Sequence, residues 1–106
     1  MRAYFKTLAL RWRALSISLL PVAWTFSRIY RNRWWGGRDA ESASGRGSSL
    51  KATDNVRRAL PGLLKHLECK KMLDLGCGDF NWMRHVELDV DYLGGDLVPD
   101  VIRENQ

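Results

Sequence analysis

Asp74, Gly76, Gly78 and Asp96 are the residues of this chain whose types and spacing could do chemistry. A carboxylate near the end of one extended run, two glycines just beyond it, and a second carboxylate closing the next run outline a nucleotide cradle. Glycines let a backbone approach a ligand closely, and a carboxylate at a neighbouring strand tip can accept both hydroxyls of a ribose. Met72-Leu73-Asp74-Leu75 is a short apolar run broken by one acid, and Gly76-Cys77-Gly78-Asp79 reads as the tight turn after it. Residues 80–85 are expected to start a crossover helix, 86–91 to be a polar approach, and Asp91-Tyr92-Leu93-Gly94-Gly95-Asp96 to be the second strand. Pro99 suits the first turn of a further helix, and Asp100 favours the positive end of its dipole.

Other chemistries find less support. There is no placeable Ser-His-Asp arrangement and no paired-carboxylate constellation, and Asp89 and Asp91 read as solvated loop acids. Cys69 and Cys77 make neither a disulfide framework nor a zinc site, and His66 and His85 lack ligand-like spacing to them, so no metal is expected. Both thiols read as reduced, in a cytoplasmic compartment. His85 reads as a helix-end or surface residue rather than a base.

The elements that must position these residues lie in a chain of 106 residues, enough for one small domain and short for a doubly wound sheet with two covered faces. Its +5 formal net charge is uneven: residues 1–38 carry eight Arg or Lys and no acid, whereas 39–106 carry nine bases against twelve acids. That split describes a basic N-terminal arm on a mildly acidic domain and argues against a nucleic-acid-binding surface across the protein. Tyr4, Leu8, Trp12, Leu15 and Leu19 fall on one helical stripe, and Pro21 should end or kink that helix at Leu20. The uncharged window 14–27 contains Pro21 and falls short of the roughly 20 apolar residues of a membrane span. A helix docked on the protein's own core, an interfacial membrane helix and a targeting segment all stay open for this arm, so weak membrane-surface contact through residues 1–30 is carried forward.

Arg31-Asn32-Arg33-Trp34-Trp35 could clamp phosphates or stack on bases, or anchor the arm with indoles buried and arginines wet. Residues 36–49 hold four of the nine glycines and four serines, a loop that serves either as a plain linker or as a segment folded over a ligand. Thr53 or Asp54 can cap a helix that buries Val56, Ala59, Leu60, Leu63, Leu64 and Leu67 along one face, with Pro61-Gly62 inside it. The organisation expected is a basic helical arm over 1–35, a Gly/Ser loop over 36–50 and a cofactor-binding unit over 51–106.

Met72-Leu73-Asp74-Leu75-Gly76-Cys77-Gly78 read with Asp96 resembles the first two motifs of class I S-adenosylmethionine-dependent methyltransferases. Gly78-Asp79-Phe80-Asn81-Trp82-Met83, with Trp35-Gly36-Gly37 and Ser44-Gly45-Arg46-Gly47-Ser48 upstream, looks like one bacterial subgroup of them, and the likeness spans about residues 26–106. The resemblance implies an α/β fold: the N-terminal portion of a Rossmann-like domain, ending before the later strands that carry the substrate pocket and most catalytic residues. It implies S-adenosylmethionine as cofactor. Asp74 would orient the methionine amino group, Gly76, Cys77 and Gly78 would offer room and N–H groups to the amino-acid end, Asp96 would take the ribose hydroxyls, and Leu97 would lie against adenine. Asn81 and Trp82 are candidates for the pocket floor. The common third glycine is Phe80 here, as in the subgroup.

The methyl acceptor and the catalytic residues are not fixed by these motifs. A non-catalytic truncated product, or a membrane- or partner-binding fragment, is the competing reading. A nicotinamide dehydrogenase fragment is a further rival, but the sixth position of its Gly-x-Gly-x-x-Gly would be Asn81, and Asp74 before the turn is foreign to it. In the family's sheet order the strand 71–75 is central and pairs with a later strand, so its apolar edge is expected to lie open in this chain and the isolated chain to be marginally stable.

Overall fold

A computed structural model describes residues 1–7 and 13–106, with side chains described for 1–7 and 22–106. The elements are β1 (Arg2–Thr7), α1 (Arg13–Asn32), α2 (Asp54–His66), β2 (Lys71–Leu75), β3 (Asp91–Asp96) and α3 (Pro99–Asn105), with 3-10 turns at Arg46–Ser48 and Met83–His85. They make a small mixed α/β domain on a three-stranded parallel sheet of order β1-β3-β2.

Strands β2 and β3 form where the short apolar runs predict them, in a register that sets Met72 beside Tyr92 and Asp74 beside Gly94. The face carrying these residues also carries Phe5, which lies opposite Gly94. A side chain at residue 94 would meet the Phe5 ring at 2.9 Å and the Cys77 sulfur at 3.1 Å, so a bare backbone here makes room for β1. Phe5, Phe80 and Tyr92 then close a ring cluster with centroids 4.9, 5.3 and 6.0 Å apart, each contact worth about 0.5–1.5 kcal/mol beyond burial. Tyr92 is fully buried at its centre, with Met83, Val86, Leu88 and Val90 packed around it and Leu60 and Leu64 of α2 alongside.

Several expectations are corrected. Residues 2–7 are a strand and not the start of a helix: Tyr4 belongs to β1, Leu8 and Trp12 lie outside the described residues, and Leu15 and Leu19 belong to α1. α1 runs through Pro21 without ending, because a proline removes one N–H while the rungs on either side remain. No crossover helix starts at Phe80. The connection holds only the turn Met83–His85, after which Val86, Leu88 and Val90 alternate with exposed Glu87 and Asp89, so an extended apolar segment covers the sheet.

α2 forms with Pro61 inside it, but it buries a narrower stripe than its pattern suggests. Leu60 and Leu64 pack inward, while Val56, Leu63 and Leu67 stay exposed because no other described element lies over them. On the opposite sheet face Leu73 and Leu75 are 60% and 61% exposed. β2 is an edge strand here, with β3 at the centre.

Both long helices end in the same way. Arg33 and Glu68 take left-handed conformations (φ 51 and 54) just past α1 and α2. The following residues, Trp34 and Cys69, donate their N–H back to Ile29 and Leu64, closing a Schellman motif on a non-glycine residue.

Candidate functional site

The end of β2 rises into a left-handed glycine turn, with Gly76 at φ +85 and Gly78 at φ +57. The N–H groups of Gly76 and Cys77 both donate to the Gly95 carbonyl, at 2.7 and 3.1 Å, which fastens the turn to the tip of β3. Gly78 N–H donates to Asp96 Oδ2 at 3.0 Å, and Val98 N–H donates to Oδ1 of the same carboxylate at 3.0 Å. Asp96 is thus a buried carboxylate aimed at the glycine turn, with two backbone donors compensating its desolvation.

Asp74 is held from the side. The Tyr92 hydroxyl donates to its Oδ2 at 2.6 Å, and among the described residues no donor reaches Oδ1. Burial, followed by the hydrogen bond to Asp74 and that carboxylate's charge, pushes the Tyr92 phenol upward, so it remains a donor throughout the physiological range. Cys77 is pushed up to about 12, first by burial and then by Asp96 and Asp74; it is a neutral thiol and not a nucleophile.

These groups open onto one pocket of about 500 Å³. Asp74, Gly76, Cys77, Gly78, Asp96 and Leu97, all singled out from sequence, line it together. Its other wall comes from Phe26 and Tyr30 of α1, Trp35 just beyond, Ser44 and Ser48 of the loop, and Asp79 and Trp82 after the turn. Phe26 and Tyr30 meet the Trp35 ring edge-on, at centroid distances of 5.6 and 5.4 Å. Among the described residues the acids lining the pocket are Asp74, Asp79 and Asp96, and no Lys or Arg joins them.

The loop is no plain linker. Ser42, 1% exposed, donates its hydroxyl to both oxygens of Asp79, at 2.9 and 2.8 Å, and Ala43 N–H donates to Oδ2 at 2.7 Å. Ser44 Oγ contacts Asp79 Oδ1 and accepts the Asp79 N–H, both at 3.1 Å, and shares a 2.9 Å bond with the Tyr30 hydroxyl. Burial raises the Tyr30 phenol against the lowering effect of that Ser44 bond. Asn81 does not line the pocket: its Nδ2 donates to Glu41 Oε1 and to the Ser48 carbonyl, both at 2.9 Å.

Sequence reasoning missed the roles of Asp79, Ser42, Tyr30 and Tyr92. Ser42 and Ser44 at alternate positions, and Asp79 adjoining the second glycine, were the available signals. In the Arg–Trp cluster, Arg33 donates to the carbonyls of Gly37 and Ala40, Arg31 faces Asp100 at 3.8 Å, and Trp35 lines the pocket. Trp34 stays outside with Arg28 over its ring. Among the described residues no group of three or more His, Cys, Asp or Glu side chains could hold a metal ion, and no helix is long and apolar enough to cross a membrane. No protein family, curated protein or solved structure was found to match the chain.

Proposed function

We propose that this chain binds S-adenosylmethionine as the cofactor-binding part of a Rossmann-like methyltransferase. The observation that carries this reading is the convergence of Asp74, Asp96, Leu97 and the Gly76–Gly78 turn on one pocket with aromatic walls and, among the described residues, no basic lining residue. A carboxylate-lined, aromatic-walled cavity suits an adenosine linked to a cationic sulfonium.

The residues present fit that ligand with one change from the sequence-based assignment. Among the described residues, no heavy atom lies within 4 Å of the place a side chain at Gly76 would take, leaving room beside the turn. Asp96, held in place by the N–H groups of Gly78 and Val98, keeps lone pairs for a ribose diol, and Leu97 offers an apolar surface to a base. Asp74 presents Oδ1 to an ammonium while Tyr92 fixes its other oxygen. The turn's own N–H groups are already taken by Gly95 and Asp96, and the hydroxyls of Ser44 and Tyr30 are engaged with Asp79 and with each other, so the carboxylate end of the amino acid falls to the Ser48 hydroxyl of the opposite wall.

When bound, S-adenosylmethionine supplies an electrophilic methyl group on sulfur. The residues' part is to fix both ends of the molecule so that this methyl faces a single direction, which is the entropic share of catalysis. Cys77, a neutral thiol at this site, takes no part as a nucleophile.

Calorimetry with S-adenosylhomocysteine, S-adenosylmethionine and NAD tests the proposal. Saturable binding of the first two and none of NAD is expected. Asp96→Ala should weaken it by about 10- to 100-fold, the worth of a charge-assisted hydrogen bond of ~1.5–3 kcal/mol. Binding of NAD alone, or of none of the three, sinks it.

A second reading rests on the outer face of α1. Trp24, 61% exposed, and Trp34 flank Arg28, whose guanidinium lies 4.7 and 5.6 Å from their ring centroids. Exposed indoles interleaved with arginine fit the interface of an anionic bilayer. Sedimentation with phosphatidylserine vesicles, lost in Trp24→Ser/Trp34→Ser, is the outcome expected; unchanged sedimentation in that variant removes this reading.

A further inference from the structure

The pocket has two walls of different origin. One is the sheet edge, carrying Asp74, Asp96 and the glycine turn; the other, with Ser44 and Ser48, is a segment over 41–49 that belongs to no strand. What keeps that segment in place is a small set of bonds to two residues beyond the turn. Asp79 receives the Ser42 hydroxyl, the Ala43 N–H and the Ser44 hydroxyl, along with its near neighbour Asn81 N–H at 3.3 Å. Asn81 in turn pins both ends of the segment, through Glu41 Oε1 and the Ser48 carbonyl.

We infer that Asp79 is a positioning residue that latches residues 41–49 as a strap over the glycine turn, so that half of the ligand pocket exists only while the latch is closed. The inference rests on the proposed cofactor only for the identity of the ligand. An ionised carboxylate offers acceptors alone, which matches a site where every inward group is a hydroxyl or an N–H. Nothing in the sheet depends on the latch: β2 and β3 are paired along their own backbones, and Asp96 is held by Gly78 and Val98. Opening the strap therefore removes Ser44 and Ser48 from the pocket and releases Tyr30, whose hydroxyl is bonded to Ser44, while Asp74, Asp96 and Leu97 stay where they are. Ligand retention would then be controlled by one carboxylate through the segment it holds.

Amide exchange by NMR on the full chain reads the latch without any ligand. Asp79 Oδ2 accepts the Ala43 N–H, and Ser42 Oγ accepts the Ser44 N–H at 3.1 Å. Both amides should be protected in the parent protein. In Asp79→Asn and, separately, Ser42→Ala they should exchange at least tenfold faster, while the amides of β3 keep their parent rates. Affinity for S-adenosylhomocysteine should fall at least tenfold in the same variants. A free-chain rate for Ala43 in the parent, or unchanged rates in a variant whose β3 amides stay protected, overturns the latch. Released amides with undiminished affinity overturn the positioning role. If the parent binds no S-adenosyl compound, the cofactor assignment fails by itself, and the exchange data still decide the latch.

Discussion

Two neighbouring glycine-to-alanine changes should behave very differently, and the contrast tests the geometry of the turn. Gly76 and Gly78 both have positive φ, so an alanine at either costs about 1–2 kcal/mol in backbone strain. At residue 76 a methyl group meets no heavy atom of the described residues within 4 Å, and the cost stops there. At residue 78 it would overlap Ser44 Oγ and lie 3.0 Å from the Tyr30 hydroxyl. Ser44 can yield only by giving up its contacts with the Asp79 N–H, with Asp79 Oδ1 and with Tyr30, each worth ~1 kcal/mol. Gly78→Ala should therefore destabilise by about 4–5 kcal/mol, roughly 3 kcal/mol more than Gly76→Ala, a large share of the stability of a small domain. In urea, followed by tryptophan fluorescence, that difference is a midpoint gap of about 1–3 M for slopes of ~1–3 kcal/mol/M. A Ser44→Ala background should shrink the gap, since the Oγ that obstructs the new methyl is gone. Equal midpoints for the two single variants would refute the account of a strap pressed against the turn.

Three further outcomes follow from other sites. Because the Cys77 thiol is pushed up to about 12 from 9.0, its alkylation by iodoacetamide at pH 8 should be ~10³-fold slower in the folded protein than in urea, and the rate should keep rising beyond pH 10; a plateau below pH 10 contradicts this. Tyr92 and Cys77 both have folded-state values above their unfolded ones, so each stabilises fully below its unfolded value and loses that contribution as pH rises through the window beginning at 9.0 for Cys77 and 10.0 for Tyr92; urea midpoints should fall there, and Tyr92→Phe should flatten the part above 10 while losing ~1–2 kcal/mol at neutral pH. Glu68→Gly should raise the midpoint by the equivalent of about 1 kcal/mol, since glycine takes the left-handed cap of α2 without strain; no change or a loss would mean that Glu68 is not strained.

The parts of the fold legible in the sequence are those written in local patterns. The run 71–75, the glycines after it, the run 91–96 and the proline opening α3 each announce themselves within a few residues, and the structure places them accordingly. β1 was misread because Tyr4 and Leu8 sit four apart, as on a helix. Residues 2–7 pair with β3 as a strand, and the missing side chain of Gly94 leaves room for Phe5 of that neighbouring strand. Residues 86–91 read as a polar approach because of their acids; Glu87 and Asp89 are exposed, while Val86, Leu88 and Val90 are buried against the aromatic cluster. Phe80 is the opposite case. It holds φ +57, a conformation usually left to glycine, and its ring contacts with Phe5 and Tyr92 offset the strain, so no rule of local preference would have placed it there. The strap is illegible for a plainer reason: Ser42 and Asp79 are 37 positions apart, and no periodicity links a serine to a carboxylate over that distance.

The three acids that line the pocket carry a consequence for what it disfavours. Adenosine is common to many metabolites, most of which bear phosphates. Asp74, Asp79 and Asp96 line the pocket with no Lys or Arg beside them among the described residues, a charge that disfavours polyanions before any shape is compared. Repulsion of this kind is a way for so small a wall to discriminate among ligands that share a base and a sugar but differ in charge.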